Sequence, residues 1–267
     1  GDNTIGFNNV AVGINAMQDN IDGDNNVAVG VNALLNNTTG GGNTALGTAA
    51  LQANNANDNT AVGYGALDAN TTGTSNTAVS RNALGATSTG GFNTALGTNA
   101  LAANTANDNT AVGYGALNLN TTGTSNTAVG SSALGAGGTG GFNTAVGANA
   151  LAANTASDNT AVGYGALDAN TTATSNTAVG RHALGATSTG GSNTAVGTNA
   201  LAANTATANT AVGVGALEAN TSGTNNTAVG VNSLWVNTGG NNNTAMGVGA
   251  LGGNTGGDNN TAIGINA

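Results

Sequence analysis

His182 is the only histidine in the chain, and its counterparts in the sequence repeat are Asn82 and Ser132. Nothing around it builds a Ser-His-Asp or Cys-His constellation, so it reads as a corner side chain. The acids are the next candidates. Asp58, Asp108 and Asp158 recur 50 residues apart, with Asp258 in the series and Ala208 interrupting it. Asp68, Asp168 and Glu218 form a second series that includes Asn118. At the spacing of β-strands, members of one series lie roughly 14 Å apart, too far to share an ion. Calcium takes about six to eight oxygens, so corner Asn and Thr oxygens or a second chain would have to complete a site. The plainer reading is solubility.

Tyr64, Tyr114 and Tyr164 form an aromatic row, and Phe92 and Phe142 another. Such rows can contact sugars, but they are expected to cap a corner of the core or a seam between chains. Trp235 is expected to pack likewise. Asn70, Asn120, Asn170 and Asn220 begin Asn-x-Thr/Ser sequons. These matter only in a glycosylating host, and a chain this rich in Asn and Thr produces them by chance. No catalytic, metal or cofactor site is expected, and the chain does not read as an enzyme.

What must position these residues is a repeat. NTAVGYGAL stands at 59–67, 109–117 and 159–167, with looser copies between. Numbering each unit from the Asn of its NTA or NVA phrase gives sixteen starts, from Asn9 to Asn260, spaced by 16 or 17 residues. From Asn43 to Asn243 the spacings run 16, 17, 17, a super-repeat of 50. Position three is Ala in every copy, position four is always aliphatic, and position five is Gly except at Ser80. Positions eight and nine are Ala-Leu with few exceptions.

Composition narrows the classes. The 267 residues include 46 Gly, no Pro and no Cys, and only 5% are charged. Ordinary domains carry about 25% charged residues. A net charge of −9 argues against nucleic acid, which needs a basic patch. No apolar run reaches the roughly 20 residues of a membrane span. The absence of a leader-like start suggests a mature product or a piece of a longer protein.

Sixteen or seventeen residues are too few for two helices, and Gly, Asn and Thr are poor helix formers. The expected fold is all-β: a parallel β-solenoid, or β-roll, of about 16 coils of 16–17 residues, running as one continuous array over 1–267. Each coil is expected to hold two short strands, positions two to four and then Ala66 to about Asn70, with corners between them. Strand parity puts Thr60 and Val62 on one face and Ala61 on the other. The expected core is Val62, Leu67, Val112, Leu117, Val162, Leu167, Val212 and Leu217. Asn59, Asn76, Asn93, Asn109, Asn126 and Asn143 are expected to stack as a ladder of side-chain amides or to serve as turn residues. Stacked at about 4.8 Å, sixteen coils would make a rod of roughly 75 Å.

Two large apolar side chains per coil are little against the entropy of ordering seventeen residues. The all-Ala position three offers a face for close approach, so a homo-oligomer is expected, with a homotrimer as the leading arrangement.

Asn9-Val10-Ala11-Val12-Gly13 and Asn26-Val27-Ala28-Val29-Gly30 resemble the head repeat of YadA-like trimeric autotransporter adhesins. The phrase from Asn59 to Gly73 also resembles repeats in phage tail-fibre proteins. The resemblance implies a left-handed β-roll in a homotrimer used for attachment. It departs from the adhesin pattern in its longer coils and in Thr at position two. The function expected is a structural or attachment fibre segment, extracellular, on a cell or virion surface, with self as partner and a host surface glycan or protein as ligand. Two alternatives stand beside it: a subunit of a filament polymerising end to end, and an ice-binding solenoid.

Overall fold

A computed structural model describes residues 5–86, 89–187 and 189–267. Residues 1–4, 87, 88 and 188 of the expected 1–267 array lie outside the described residues. The chain divides into two units, Gly1–Ser132 and Ala133–Ala267. The first holds β1 (Val10–Val12), β2 (Val27–Val29), β3 (Thr44–Leu46), β4 (Thr60–Val62), β5 (Thr77–Val79), β6 (Thr94–Leu96), β7 (Thr110–Val112) and β8 (Thr127–Val129). The second holds β9 (Thr144–Val146), β10 (Thr160–Val162), β11 (Thr177–Val179), β12 (Thr194–Val196), β13 (Thr210–Val212), β14 (Thr227–Val229), β15 (Thr244–Met246) and β16 (Thr261–Ile263).

Each unit is a parallel β-solenoid, all-β, with no helix among the described residues. Successive strands pair in parallel and in register: Thr60 stands beside Thr77, Ala61 beside Ala78 and Val62 beside Val79. Hydrogen bonds between coils continue beyond the strands. Leu67 N–H donates to Ala83 O at 3.0 Å, and Ser75 N–H donates to Asn57 O at 3.2 Å. Pairing around the perimeter satisfies backbone groups that loops usually leave to water.

Each coil contains one strand, not two. The expected second strand, Ala66 to about Asn70, is a run of turns. Leu67 has φ 52°, and the leucine at position nine takes similar values in the other coils, as at Leu117 and Leu167. A left-handed residue breaks the extended backbone, and here it swings the side chain into the coil. Gly63 at position five has φ 136° and lies so close to the next coil that a Cβ on it would come within 2.7 Å of Ser80 backbone atoms. Only glycine meets both conditions without strain.

The coil lengths differ at one corner. In the 17-residue coil two exposed threonines, Thr71 and Thr72, separate Asn70 from the buried Gly73. In the 16-residue coil a single Asn55 separates Asn54 from Ala56. The missing residue is thus taken from the outer corner, and the strands keep their register.

The core corrects one part of the expectation. Leu67, Leu117, Leu167 and Leu217 are fully buried, and so are the strand alanines Ala61, Ala111, Ala161 and Ala211. Val62 and Val112 are only half-buried, while Val162 and Val212 are exposed. The four valines are therefore not core residues. Parity places Thr and Val opposite Ala but does not say which side is interior. The leucines and two rows of asparagine fill the coil and leave a methyl's width beside the strand, so Ala goes in and Val goes out.

Candidate interaction surface

The inversion leaves an unusual outer face. Position four carries Val, Leu, Met or Ile in all sixteen strands, and position two carries Thr or Val. Neither position holds a charge. Leu46 is 48% exposed and Val196 37%. Along each unit this makes a column of threonine beside a column of aliphatic side chains, repeating at the strand spacing of about 4.8 Å. Position six lies just beyond the Gly corner and adds exposed Tyr64, Tyr114, Tyr164, Val214 and Val248, together with the exposed Arg81 and Arg181. Soluble surfaces seldom carry so regular an apolar stripe unless something covers it. The alanine face expected to mediate association lies inside the coil and is unavailable, because those side chains are buried in β2–β15.

The position-one asparagines do form a row, chiefly through their main chain. Asn59 Oδ1 accepts the N–H of Asn76 at 3.0 Å, and Asn76 Oδ1 accepts that of Asn93 at 2.9 Å. The same bond links Asn93 to Asn109 at 2.9 Å and Asn109 to Asn126 at 3.0 Å. In the second unit Asn143 Oδ1 accepts the N–H of Asn159 at 3.0 Å. The Nδ2 of Asn59, Asn76, Asn93, Asn109 and Asn143 donates to a carbonyl 13 or 14 residues on, as Asn59 does to Gly73 O at 2.9 Å. A direct amide-to-amide bond occurs between Asn93 and Asn76 at 3.1 Å.

A second buried row escaped the sequence reading. Asn54, Asn70, Asn104, Asn120, Asn154, Asn170, Asn204 and Asn220 sit at position twelve, fully buried. Asn70 Nδ2 donates to Asn54 Oδ1 at 2.6 Å and to Gly73 O at 2.9 Å. Four of these residues are the Asn of the sequons, and a fully buried amide cannot carry a glycan in this fold. The signal was their recurrence three residues after Leu, which the sequon pattern masked. No known protein family matches the chain, and no curated protein does.

The residues capable of chemistry stay dispersed. Among the described residues no group of three or more His, Cys, Asp or Glu is placed to hold a metal ion. Asp58, Asp108 and Asp158 occupy left-handed corner positions, with φ 60°, 61° and 62°. Asp258 does not share that position. Its coil has 17 residues, so Asn259 takes the left-handed corner (φ 57°) and Asp258 accepts the N–H of Asn241 at 2.7 Å. Asp22, Asp24 and Asp58 line an open groove of about 340 Å³.

The aromatic rows do not cap the core, since Tyr64 and Phe92 are more than 60% exposed. His182 stands edge-on to Tyr164, ring centroids 5.3 Å apart. Trp235 is half-exposed, and its Nε1–H donates to Glu218 Oε2 at 3.2 Å. Partial burial pushes the Asp68 carboxyl above its ordinary value, against the opposing pull of backbone N–H groups. No helix among the described residues is long and apolar enough to cross a membrane.

Proposed function

We propose that this chain is a structural and attachment segment of an extracellular fibre, such as a surface adhesin head or a viral tail-fibre shaft. Copies associate through the outward strand face, three around one axis. The observation that carries the reading is the aliphatic residue that each coil turns outward at position four, free of charge from one coil to the next. Covering that column contributes roughly 25 cal/mol per Å² of apolar surface removed from water. The acids stand at other positions, so a net charge of −9 does not oppose contact along this face. The resemblance of the NVAVG phrases to trimeric adhesin heads supports the number three, and the solenoid offers a repeated surface for a glycan or protein receptor.

Sedimentation of the purified chain, with adhesion to cells and glycan arrays, tests this. Three 25.0 kDa chains per particle with retained adhesion are expected. A monomer that adheres to nothing would overturn the proposal.

One observation favours a second reading, ice binding. The position-two threonines face outward in register, as Thr160, Thr177 and Thr194 do. A rigid, uncharged Thr column can order water at an ice surface. Thermal hysteresis of a monomeric sample decides between the two.

A further inference from the structure

Position ten carries an arrangement that recurs in both units. Asp68, Gly85 and Ala102 hold this position in three successive coils of the first unit, and Asp168, Gly185 and Ala202 do so in the second. Glycine between a carboxylate and a methyl leaves a gap. In the first unit that gap is a groove of about 300 Å³ lined by Asp68, Asn82, Gly85, Ala86, Asn99 and Ala102. One carboxylate, two amides, two alanines and the glycine line it.

The chain supplies its own occupied version. In the next super-repeat the three residues are Glu218, Trp235 and Gly252. Trp235 takes the place of Gly85 and Gly185, and its indole Nε1–H donates to the carboxylate of Glu218 at 3.2 Å. Where the gap is filled, a flat aromatic ring lies at the corner and its N–H meets the acid. The open gap at Gly85 can admit the same group, and so can the position at Gly185, where His182 stands in place of Asn82. A Cβ built on Gly85 meets nothing nearer than Asn82 O at 3.3 Å, and one built on Gly185 would lie 3.6 Å from Asp168 Oδ1. Neither glycine has a positive φ, so neither is kept for its backbone freedom.

We propose that the groove at Gly85, and the equivalent position at Gly185, are binding sites for a flat aromatic ligand carrying an N–H donor, of the indole kind, with Asp68 and Asp168 accepting the N–H. The bond to an ionised carboxylate supplies selectivity, because a hydrogen bond to a charged group is about twice as strong as one between neutral groups. The single Trp of the chain is already engaged with Glu218, so the occupant comes from outside the chain.

Ligand-observed ¹⁹F NMR with 5-fluoroindole on the full chain tests the proposal. Saturable binding at two sites per chain is expected. Gly85→Trp should remove one site and Gly85→Trp with Gly185→Trp both, since each fills its groove as Trp235 does. Trp235→Gly should open a third. Asp68→Asn with Asp168→Asn should weaken binding about tenfold or more, as should N-methylation of the probe, which removes the donor. Absence of saturable binding, equal binding of the N-methylated probe, or an unchanged stoichiometry in both the Gly→Trp and the Trp235→Gly variants would each overturn the assignment. Oligomeric state and adhesion do not enter these readouts, so failure here leaves the fibre proposal standing.

Discussion

Asn59 holds two coils at once: its Oδ1 accepts the N–H of Asn76, and its Nδ2 donates to Gly73 O and to Asn57 O. Truncation strips a donor and an acceptor from a fully buried site. Asn59→Ala should cost about 2–4 kcal/mol, since each orphaned buried group costs about 1–3 kcal/mol. Asn59→Asp should cost more, because it replaces the Nδ2 donor with a buried charge. Urea unfolding of the two variants checks both the size and the order.

Leu167 and Val162 separate core from surface. Leu167→Ala should destabilise by about 2–5 kcal/mol, the range for buried leucine. Val162→Thr should leave the stability of an isolated chain within about 0.5 kcal/mol, as exposed substitutions do. If copies join along the strand face, Val162→Lys should shift the sedimentation of the assembly without shifting the unfolding of a single chain.

Ser80 is the one residue other than Gly at position five, and its φ is 110°. Ser80→Gly relieves that strain and gives up a contact between the Ser80 and Thr98 hydroxyls at 3.1 Å. The net gain should be about 1 kcal/mol, seen as a higher Tm.

Asn170 Oδ1 is buried and accepts no hydrogen bond from the described residues. Thr187 stands above it and donates its hydroxyl to Asn204 O at 2.7 Å. In the corresponding place Asn237 Nδ2 reaches Asn220 Oδ1 at 2.9 Å. Thr187→Asn should therefore supply the missing donor and raise Tm by an amount equivalent to about 0.5–1.5 kcal/mol.

Asp68 predicts a pH effect. Its folded pKa lies above the ordinary 3.8, so the folded chain binds more protons there than the unfolded chain. Stability from this group then falls as pH rises through 3.8 toward the raised value, and stays lower above it. Asp68→Asn should remove that fall, measurable as a flatter dependence of the urea midpoint on pH.

The repeat, the parallel stacking, the inward Leu67 and the row through Asn59 were legible because they depend on period alone. The direction of the strand was not. Alternation puts Ala61 opposite Thr60 and Val62, and hydrophobicity then favours the larger Val for the interior. The coil is too narrow for that choice once Leu67 and the amides of Asn59 and Asn70 occupy it. Leu67 at φ 52° was equally hidden, since leucine rarely adopts that conformation and nothing local demands it. The row through Asn70 was visible as a recurrence but read as sequons, a pattern that depends on exposure.

The amide-rich interior has a thermal consequence. Unfolding an ordinary domain raises the heat capacity because newly wetted apolar surface outweighs newly wetted polar surface. Here nearly every coil conceals methyl groups and one leucine together with buried asparagine amides, so the two contributions lie closer to cancelling. The heat-capacity increment per residue is expected to fall below about 12–15 cal/mol/K, the average for globular chains. A small increment flattens the free-energy curve, and the fold keeps nearly the same margin from cold water to warm.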